Sequence, residues 1–428
     1  MNGAKFARYE AYKYSGIEWL GDVPTSWTLN RHKDVFKFVS DRCMNSSFLK
    51  VALENIEGKT GRFISTESEF DGDGIKFKRN DILFGKLRPY LAKVYLADFD
   101  GNAIGDIFVY RPKRSITPLF AKYLMLSDRF IDVINGSTAG AKMPRVSSNF
   151  IANLPVSTPS ISEQTAITTY LDTKTAQIDR QIDLLSQKAA QYGKLKQSLI
   201  NETVTCGLDK TVAIKYSETE WVTEVPVNWE VRRVKNLFSL VTDMAPNNNN
   251  YELLSLYTSI GVRPRKDMEQ RGNKASSTDG YWLVKKGDIV VNKLLAWMGA
   301  IGLSAYDGVT SPAYDVLRKT SEYVSEEYYA YLFRTEKAQE IFKKSSRGIM
   351  DMRLRLYFDK FGGIKIPVPP FEEQTAIANY LDEKTAHIDR IVATINSQID
   401  KLKELRKTLI NDIVTGKICV FKPEHRHE

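Results

Sequence analysis

EQTAITTYLDTKTAQIDR at residues 163–180 returns as EQTAIANYLDEKTAHIDR at residues 373–390, with 14 of 18 positions identical at an offset of 210. Chance does not produce such a match, so the chain is two copies of one plan, and a repeat decides architecture before any single motif does. Outward from it, Lys13-Tyr14-Ser15-Gly16-Ile17-Glu18-Trp19 leads through Val23-Pro24 to Trp27. In the second copy, Lys215-Tyr216-Ser217-Glu218-Thr219-Glu220-Trp221 leads through Val225-Pro226 to Trp229. Between these landmarks, Asp81-Ile82, Lys86-Leu87 and Asp100-Gly101 match Asp288-Ile289, Lys293-Leu294 and Asp307-Gly308 at an offset of 207. Each copy is a divergent globular part followed by a similar segment.

The similar segments read as long helices. In the second, Ile388, Val392, Ile395, Ile399, Leu402, Leu405, Leu409 and Ile413 recur at three- and four-residue steps, which makes one apolar seam. In the first the seam is Leu171, Ile178, Ile182, Leu185, Ala189, Tyr192, Leu195 and Leu199, weakened by Gly193 in the interior. Pro159 and Pro369-Pro370 precede the segments, and Gly207 and Gly416 close them, as start and stop signals require. About 40 helical residues span roughly 60 Å, too long for packed core helices. A single seam on such a rod needs a partner, so the two copies are expected to form an antiparallel coil.

The globular parts read as mixed α+β. Ile82-Leu83-Phe84, Ala92 to Leu96 and Ile107 to Tyr110 are strand-like runs separated by Asp-Gly turns, and Leu119–Leu126 and Glu326–Phe333 are helical patches at matching places. Asn247–Asn250 and Arg271–Lys274 read as exposed loops. The expected fold class is α+β: two globular domains in a pseudo-twofold repeat, separated by two long helices that form an antiparallel coiled coil. The boundaries are 1–158 for the first domain, 159–208 for the first helix, 209–368 for the second domain, 369–420 for the second helix, and 421–428 for a tail.

Composition narrows the function. Of 428 residues, 43% are apolar and 26% charged, and no stretch approaches the ~20 apolar residues of a membrane span. The opening residues carry no apolar run before a small-residue cleavage site, which points to the cytosol. Cys43, Cys206 and Cys419 are too few and too scattered for a disulfide framework or a zinc knuckle. The net charge of +9 sits in two blocks, +6 in residues 1–160 and +4 in residues 209–369. Two basic globules joined by neutral segments suit a polyanion gripped at two places.

Catalytic signatures are imitated and not completed. Phe70-Asp71-Gly72-Asp73-Gly74 resembles a methyl-donor-binding turn, yet Ser65 to Glu69 before it is no buried strand and Ile75-Lys76-Phe77-Lys78 after it is no helix. Pro369-Pro370-Phe371 lacks the leading Asn or Asp of a base-pocket motif, since Val368 stands there. Glu57-Gly58-Lys59 has the Glu-x-Lys form of a nuclease site without any Pro-Asp pair. No phosphate-binding Gly-x-x-x-x-Gly-Lys-Ser/Thr loop occurs, and His32, His387, His425 and His427 make no catalytic or metal constellation.

What remains is a pair of basic, aromatic-bearing loop regions, one per globule. In the first, Lys76, Lys78, Arg79, Lys86, Arg88, Tyr90 and Lys93 surround Gly85 to Tyr90, and Gly140 to Arg145 brings Lys142 and Arg145. In the second, Lys285, Lys286, Lys293 and Trp297 hold the first position. Lys343, Lys344, Arg347, Arg353 and Arg355, opposed by Asp351, hold the second. Lysine and arginine neutralise phosphates, arginine reads guanine edges, and Trp or Tyr can wedge or stack, so these are the candidate DNA-contacting residues.

At EQTAI-x-x-YLD-x-KTA-x-IDR, present twice, each time after a Pro-bearing entry and a globule beginning E-W-x-x-x-VP-x-x-W, the chain resembles the specificity subunit of type I restriction-modification systems. The resemblance covers nearly the whole length. It implies that each globule is a target recognition domain reading half of a split double-stranded DNA sequence, and that the helices fix the gap. It further implies a non-catalytic chain that recruits two modification subunits, which use S-adenosylmethionine to methylate adenine. Two restriction subunits, which translocate and cut with ATP and magnesium, complete the complex. On this resemblance the candidate coil and subunit-interface residues are Gln164, Leu171, Asp172, Ile178, Arg180, Ile182 and Leu185, with Gln374, Leu381, Asp382, Ile388, Arg390, Val392, Ile395 and Ile399. No cofactor or metal is expected on this chain. The alternative reading is a dumbbell-shaped protein scaffold without DNA specificity.

Overall fold

Trp27 and Trp229, at equivalent places in the repeat, are each almost wholly buried and each mark the start of a core. The computed structural model describes residues 7–43, 48–66, 73–140, 142–258, 260–268, 277–348 and 353–421. Residues 67–72 of the glycine-turn imitation and its flank, Ala141, the Arg271–Lys274 loop, Asp351, His425 and His427 lie outside them. The chain forms two compact units, residues 1–186 with 397–428, and residues 187–396.

In the first unit a four-stranded antiparallel sheet runs in the order Phe36–Val39, Ile107–Pro112, Ile82–Gly85, Val94–Leu96. Alternation along these strands sends Phe36, Ile82, Phe84 and Tyr110 into a core shared with the helices Pro118–Leu126 and Asp128–Gly136. It sends Val39, Leu83 and Val109 to a second core, beneath a peripheral sheet of Arg42–Cys43, Gly74–Phe77, Gly101–Ala103 and Lys50–Val51. In the second unit the order is Phe238–Leu240, Tyr314–Lys319, Ile289–Asn292, Ile301–Leu303. There, too, one core faces the helices Glu326–Leu332 and Glu336–Ser345 and a smaller one faces the periphery. Thr28–Arg31 pairs with Pro155–Thr158, and Glu230–Arg233 with Lys365–Val368, so each domain closes on itself just before its long helix. The expected Asp-Gly turns are corrected, because Gly101 and Gly308 begin strands and are packed against backbone that leaves no room for a side chain.

The long helices are Ile161–Cys206 and Phe371–Val414, and each is unbroken. Gly193 does not interrupt the first, since the hydrogen-bond ladder passes through it. Both helices stop where expected, at Gly207 and Gly416 with φ of 74° and 78°, the left-handed conformation that favours glycine. A Cβ on Gly416 would fall 2.4 Å from Pro24, and one on Gly207 would fall 2.6 Å from Glu373. The two helices run antiparallel, with an ion pair in each unit joining one to the other. In the first unit Asp179 accepts from Arg406 at 2.9 Å, and in the second Asp389 accepts from Lys196 at 2.7 Å. Those four residues are equivalent under the 210-residue offset, so the pairing is reciprocal. Leu195 and Leu405, expected on the seams, are instead more than half exposed. Arg406 takes the inward place beside Leu405 because its guanidinium finds Asp179 and the Lys59 carbonyl at 3.1 Å.

Candidate nucleic-acid interface

The repeated motifs are pins between each domain and its helix. Glu163 accepts from Trp27 Nε1 at 3.0 Å and from Tyr9 at 2.6 Å, and Glu373 accepts from Trp229 Nε1 at 2.9 Å. Burial, and then the Glu163 carboxylate, pushes the Tyr9 hydroxyl far up, so it stays a donor. Gln164 accepts from Thr117 N at 2.7 Å and donates to the Ser115 and Pro159 carbonyls. Gln374 repeats this with Ser325 N at 2.9 Å and the Pro369 and Tyr323 carbonyls. Asp172 accepts from Tyr123 at 2.5 Å and Asp382 from Tyr331 at 2.6 Å; burial and that carboxylate push the Tyr331 hydroxyl up to about 12.

These placements correct part of the expected interface. Gln164, Leu171, Gln374 and Leu381 are buried in their own domains, and Asp172 and Asp382 are held by their own domains' tyrosines. A polar residue on a rod reads as surface until a domain is laid over it. Ile178, Ile388, Ile395 and Ile399 are buried on the helices, Ile182, Leu185 and Val392 are half-buried, and Arg180 and Arg390 are exposed.

A second pair of pins sets the basic loops. In the first domain Asp81, 2% exposed at its side chain, takes Arg111 on both oxygens and receives Lys78 N at 2.8 Å, while Asp100 receives Arg79 N at 2.7 Å. In the second, Asp288 takes Arg318 and receives Lys285 N, and Asp307 receives Lys286 N, the latter two at 2.7 Å. Buried Asp81 and Asp288, with exposed Asp100 and Asp307, fix the turns that display Lys78, Arg79, Lys285 and Lys286, all exposed.

Beyond the turns the fold brings the two candidate loops of each domain together. Arg88 N donates to the Pro144 carbonyl at 2.8 Å, Val146 N to Lys86 O at 3.1 Å, and Arg145 pairs with Ala139 through both backbone bonds. The counterparts are Leu356 N on Lys293 O at 2.9 Å and the Arg347–Arg355 backbone pair. In the first domain Arg88, Tyr90, Lys142 and Arg145 are exposed, and Arg88 has φ of 49°. Lys86 lies 5.3 Å from the Phe108 ring centroid and 3.6 Å from Asp106. Arg145 meets Asp106 at 3.2 and 2.9 Å, and its guanidinium, ahead of a smaller burial effect, holds that carboxyl below its ordinary range. Lys76 sits on a strand with its ammonium over Phe48, and Lys93 turns inward to the Leu53 carbonyl at 2.6 Å. Lys93 therefore leaves the loop cluster, because just ahead of the Val94–Leu96 strand its stem is aimed at the domain body.

In the second domain Lys293 donates to the Pro312 carbonyl at 2.7 Å and lies 3.3 Å from Asp315, whose carboxyl is raised by burial despite the lysine. Lys343 stands 5.0 Å from the ring centroid of half-buried Trp297, and Arg347 meets Asp359 at 2.6 Å. Lys344, Arg353 and Arg355 are exposed. Sequence reasoning missed Asp106, Asp315, Glu163 and Glu373. Only the glutamates had a signal, their place in the repeat. Among the described residues no group of three or more His, Cys, Asp or Glu is placed to hold a metal, and no helix is long and apolar enough to cross a membrane.

The sequence profile of the type I restriction modification DNA specificity domain matches residues 24–191 and again residues 226–401, one match per copy and well over half of the chain together. The type I restriction enzyme MjaVIII specificity subunit of Methanocaldococcus jannaschii is 23% identical, the alignment covering 93% of this chain and 94% of that one. A putative MjaX specificity subunit of the same organism is 21% identical over 97% of this chain and 98% of its own. Among solved structures, a chain from work on complex assembly and conformational transition of the type I R-M system superposes with a TM-score of 0.70. It is 17% identical, over 92% of this chain and 98% of that one. The HsdS subunit from Thermoanaerobacter tengcongensis superposes over the same shares with a TM-score of 0.51 and is also 17% identical. Likeness at that identity speaks for the fold.

Proposed function

We propose that this chain, which belongs to the type I restriction-modification DNA specificity family and is its non-catalytic specificity subunit, reads a double-stranded DNA target in two separated halves, one per domain. The observation that supports this reading is the repeated junction of two basic loops at the end of the same inner strand of each main sheet, Lys86 to Tyr90 with Lys142 and Arg145, and Lys293 to Trp297 with Arg347 and Arg355. A protein scaffold has no need of that arrangement twice. The exposed lysines and arginines neutralise phosphates and position the duplex, and the loop tips read base edges.

On this reading the long helices set the gap between half-sites. Two modification subunits dock on the assembly and methylate adenine with S-adenosylmethionine, and two restriction subunits, using ATP and magnesium, act when the site is unmodified. Those groups belong to the partners, and the work is done in the cytoplasm.

The test is methylation mapping by long-read sequencing of DNA from cells expressing this chain with its neighbouring modification subunit, with this chain omitted as control. A split motif methylated only when the chain is present is the expected result. No chain-dependent motif, despite confirmed assembly with an active modification subunit, overturns it. Binding insensitive to salt would favour the scaffold, because phosphate contacts make affinity fall steeply as salt rises.

A further inference from the structure

Arg145 differs from the other cations of the first loop cluster in how its donors are used. Its Nε and Nη2 donate side-on to the two oxygens of Asp106, at 3.2 and 2.9 Å. A guanidinium carries five N–H donors in a rigid plane. Two remain on Nη1 and one on Nη2, and the facing pair, one from each nitrogen, forms the end-on edge that matches O6 and N7 of guanine. That edge is free to act, since the Arg145 side chain is 46% exposed.

Its base is fixed as well. Arg145 N donates to Ala139 O at 3.0 Å and Ala139 N to Arg145 O at 3.1 Å, and Arg145 also bridges Leu87. The rotamer freedom that an exposed arginine loses on binding is already spent. Other side-on pairs lack this setting, because Arg111–Asp81 and Arg318–Asp288 rest on nearly buried aspartates beneath the turns. Among the described residues the second domain does not repeat this pair, because Ala313 stands where Asp106 does under the 207-residue offset and so no carboxylate occupies that place beside Arg355, the counterpart of Arg145 in the loop pairing.

We propose that Arg145 reads a guanine in the major groove of the first half-site, and that Asp106 is its positioning residue. This rests on the reading of the chain as a two-part DNA reader. Asp106 keeps the fork side-on to itself and end-on to the base, while Lys86, 3.6 Å from the same carboxylate, offsets the charge that Asp106 would otherwise turn toward phosphate.

The experiment uses the complex with the modification subunit and duplexes carrying the methylation motif. Each guanine of either half is replaced in turn by 7-deazaguanine, which removes the N7 acceptor and keeps the pairing. One guanine, in one half only, is expected to lose about tenfold or more in affinity on replacement. Arg145→Lys, which keeps the charge and loses the fork, is expected to bind the unmodified duplex as weakly as the wild type binds the modified one. It should also be indifferent to the replacement. Asp106→Asn is expected to lose part of the same discrimination and none at the other half, which serves as the internal control for folding. A motif whose guanines all tolerate the replacement, or full discrimination retained by Arg145→Lys, overturns the proposal. Absence of any chain-dependent motif would overturn instead the reading beneath it.

Discussion

The two domains differ most at the periphery and least at the helices. In the first, Arg42–Cys43, Gly74–Phe77, Gly101–Ala103 and Lys50–Val51 make one sheet. In the second, the ribbons Leu254–Tyr257 with Gly261–Pro264 and Trp282–Val284 with Gly308–Thr310 are separate and meet at the bridge from Leu253 to Val309 and at Thr310 Oγ1, which donates to the Leu254 carbonyl. The loop clusters diverge likewise, with Asp106 and Phe108 in one replaced by Ala313 and Asp315 in the other. Yet the Trp-to-Glu, Tyr-to-Asp and Gln-to-backbone pins agree within a few tenths of an ångström. Invariance is kept where a domain must meet a rod in one orientation, and variation is allowed where the partner is a sequence of bases.

That contrast can be broken at four places. The largest effect belongs to the shared pins. Trp27→Ala and Trp229→Ala should each cost their own domain about 3–5 kcal/mol by loss of packing and by leaving Glu163, which is buried, or Glu373, which is half-buried, short of a donor. Thermal or urea unfolding would read it, and unequal costs would mean the framework is less symmetric than its geometry. Next are the reciprocal helix pairs. Arg406→Ala removes a mostly buried group shared by Asp179 and the Lys59 carbonyl and should cost about 2–3 kcal/mol. Lys196→Ala, at the exposed counterpart, should cost less than about 1 kcal/mol. Equal losses in urea midpoints would contradict that difference in burial.

The third is a pH asymmetry. His32 is buried against Phe36 and Tyr110, and burial lowers its pKa from 6.5 to about 3, whereas Val234 stands at the equivalent place. The unfolded chain takes up a proton below pH 6.5 and the folded one does not until about pH 3. Stability is therefore full above pH 6.5 and is lost as pH falls, by about 2 kcal/mol at pH 5. Unfolding followed between pH 7.5 and 5 should show this slope in the first domain, and His32→Val should remove it; a slope that survives the substitution refutes the assignment. The smallest is a binding effect. Replacing Lys86 and Arg88 together with alanine should weaken the first half-site roughly tenfold and reduce the salt dependence of affinity, leaving the second half untouched. Equal loss at both halves in a filter or fluorescence binding assay would count against separate readers.

The repeat made the architecture legible because identical residues at a constant offset must do identical work. It did not say what that work was. Glu163 lies 136 positions from Trp27, so their bond becomes visible only when strand, helix and domain closure are in place. Gln164 and Gln374 looked like surface groups of a coil for the same reason. Lys93 and Lys86 were indistinguishable as charges, and only the paired strands that they flank, Ile82–Gly85 and Val94–Leu96, separate an ammonium on the Leu53 carbonyl from one beside Asp106. Asp106 was hidden because an acid inside a basic cluster looks like an interruption until its two oxygens are seen to hold an arginine.

The first unit is assembled from both ends of the chain, and this orders its synthesis. Its main core includes Leu409, Ile410, Ile413 and Val414 beside Trp27, Phe120 and Leu171. The second unit draws only on residues 187–396. On a ribosome adding about 5–20 residues per second, the apolar surface of the first domain waits roughly 10–50 s for the helix that covers it. The domain translated first is the one finished last.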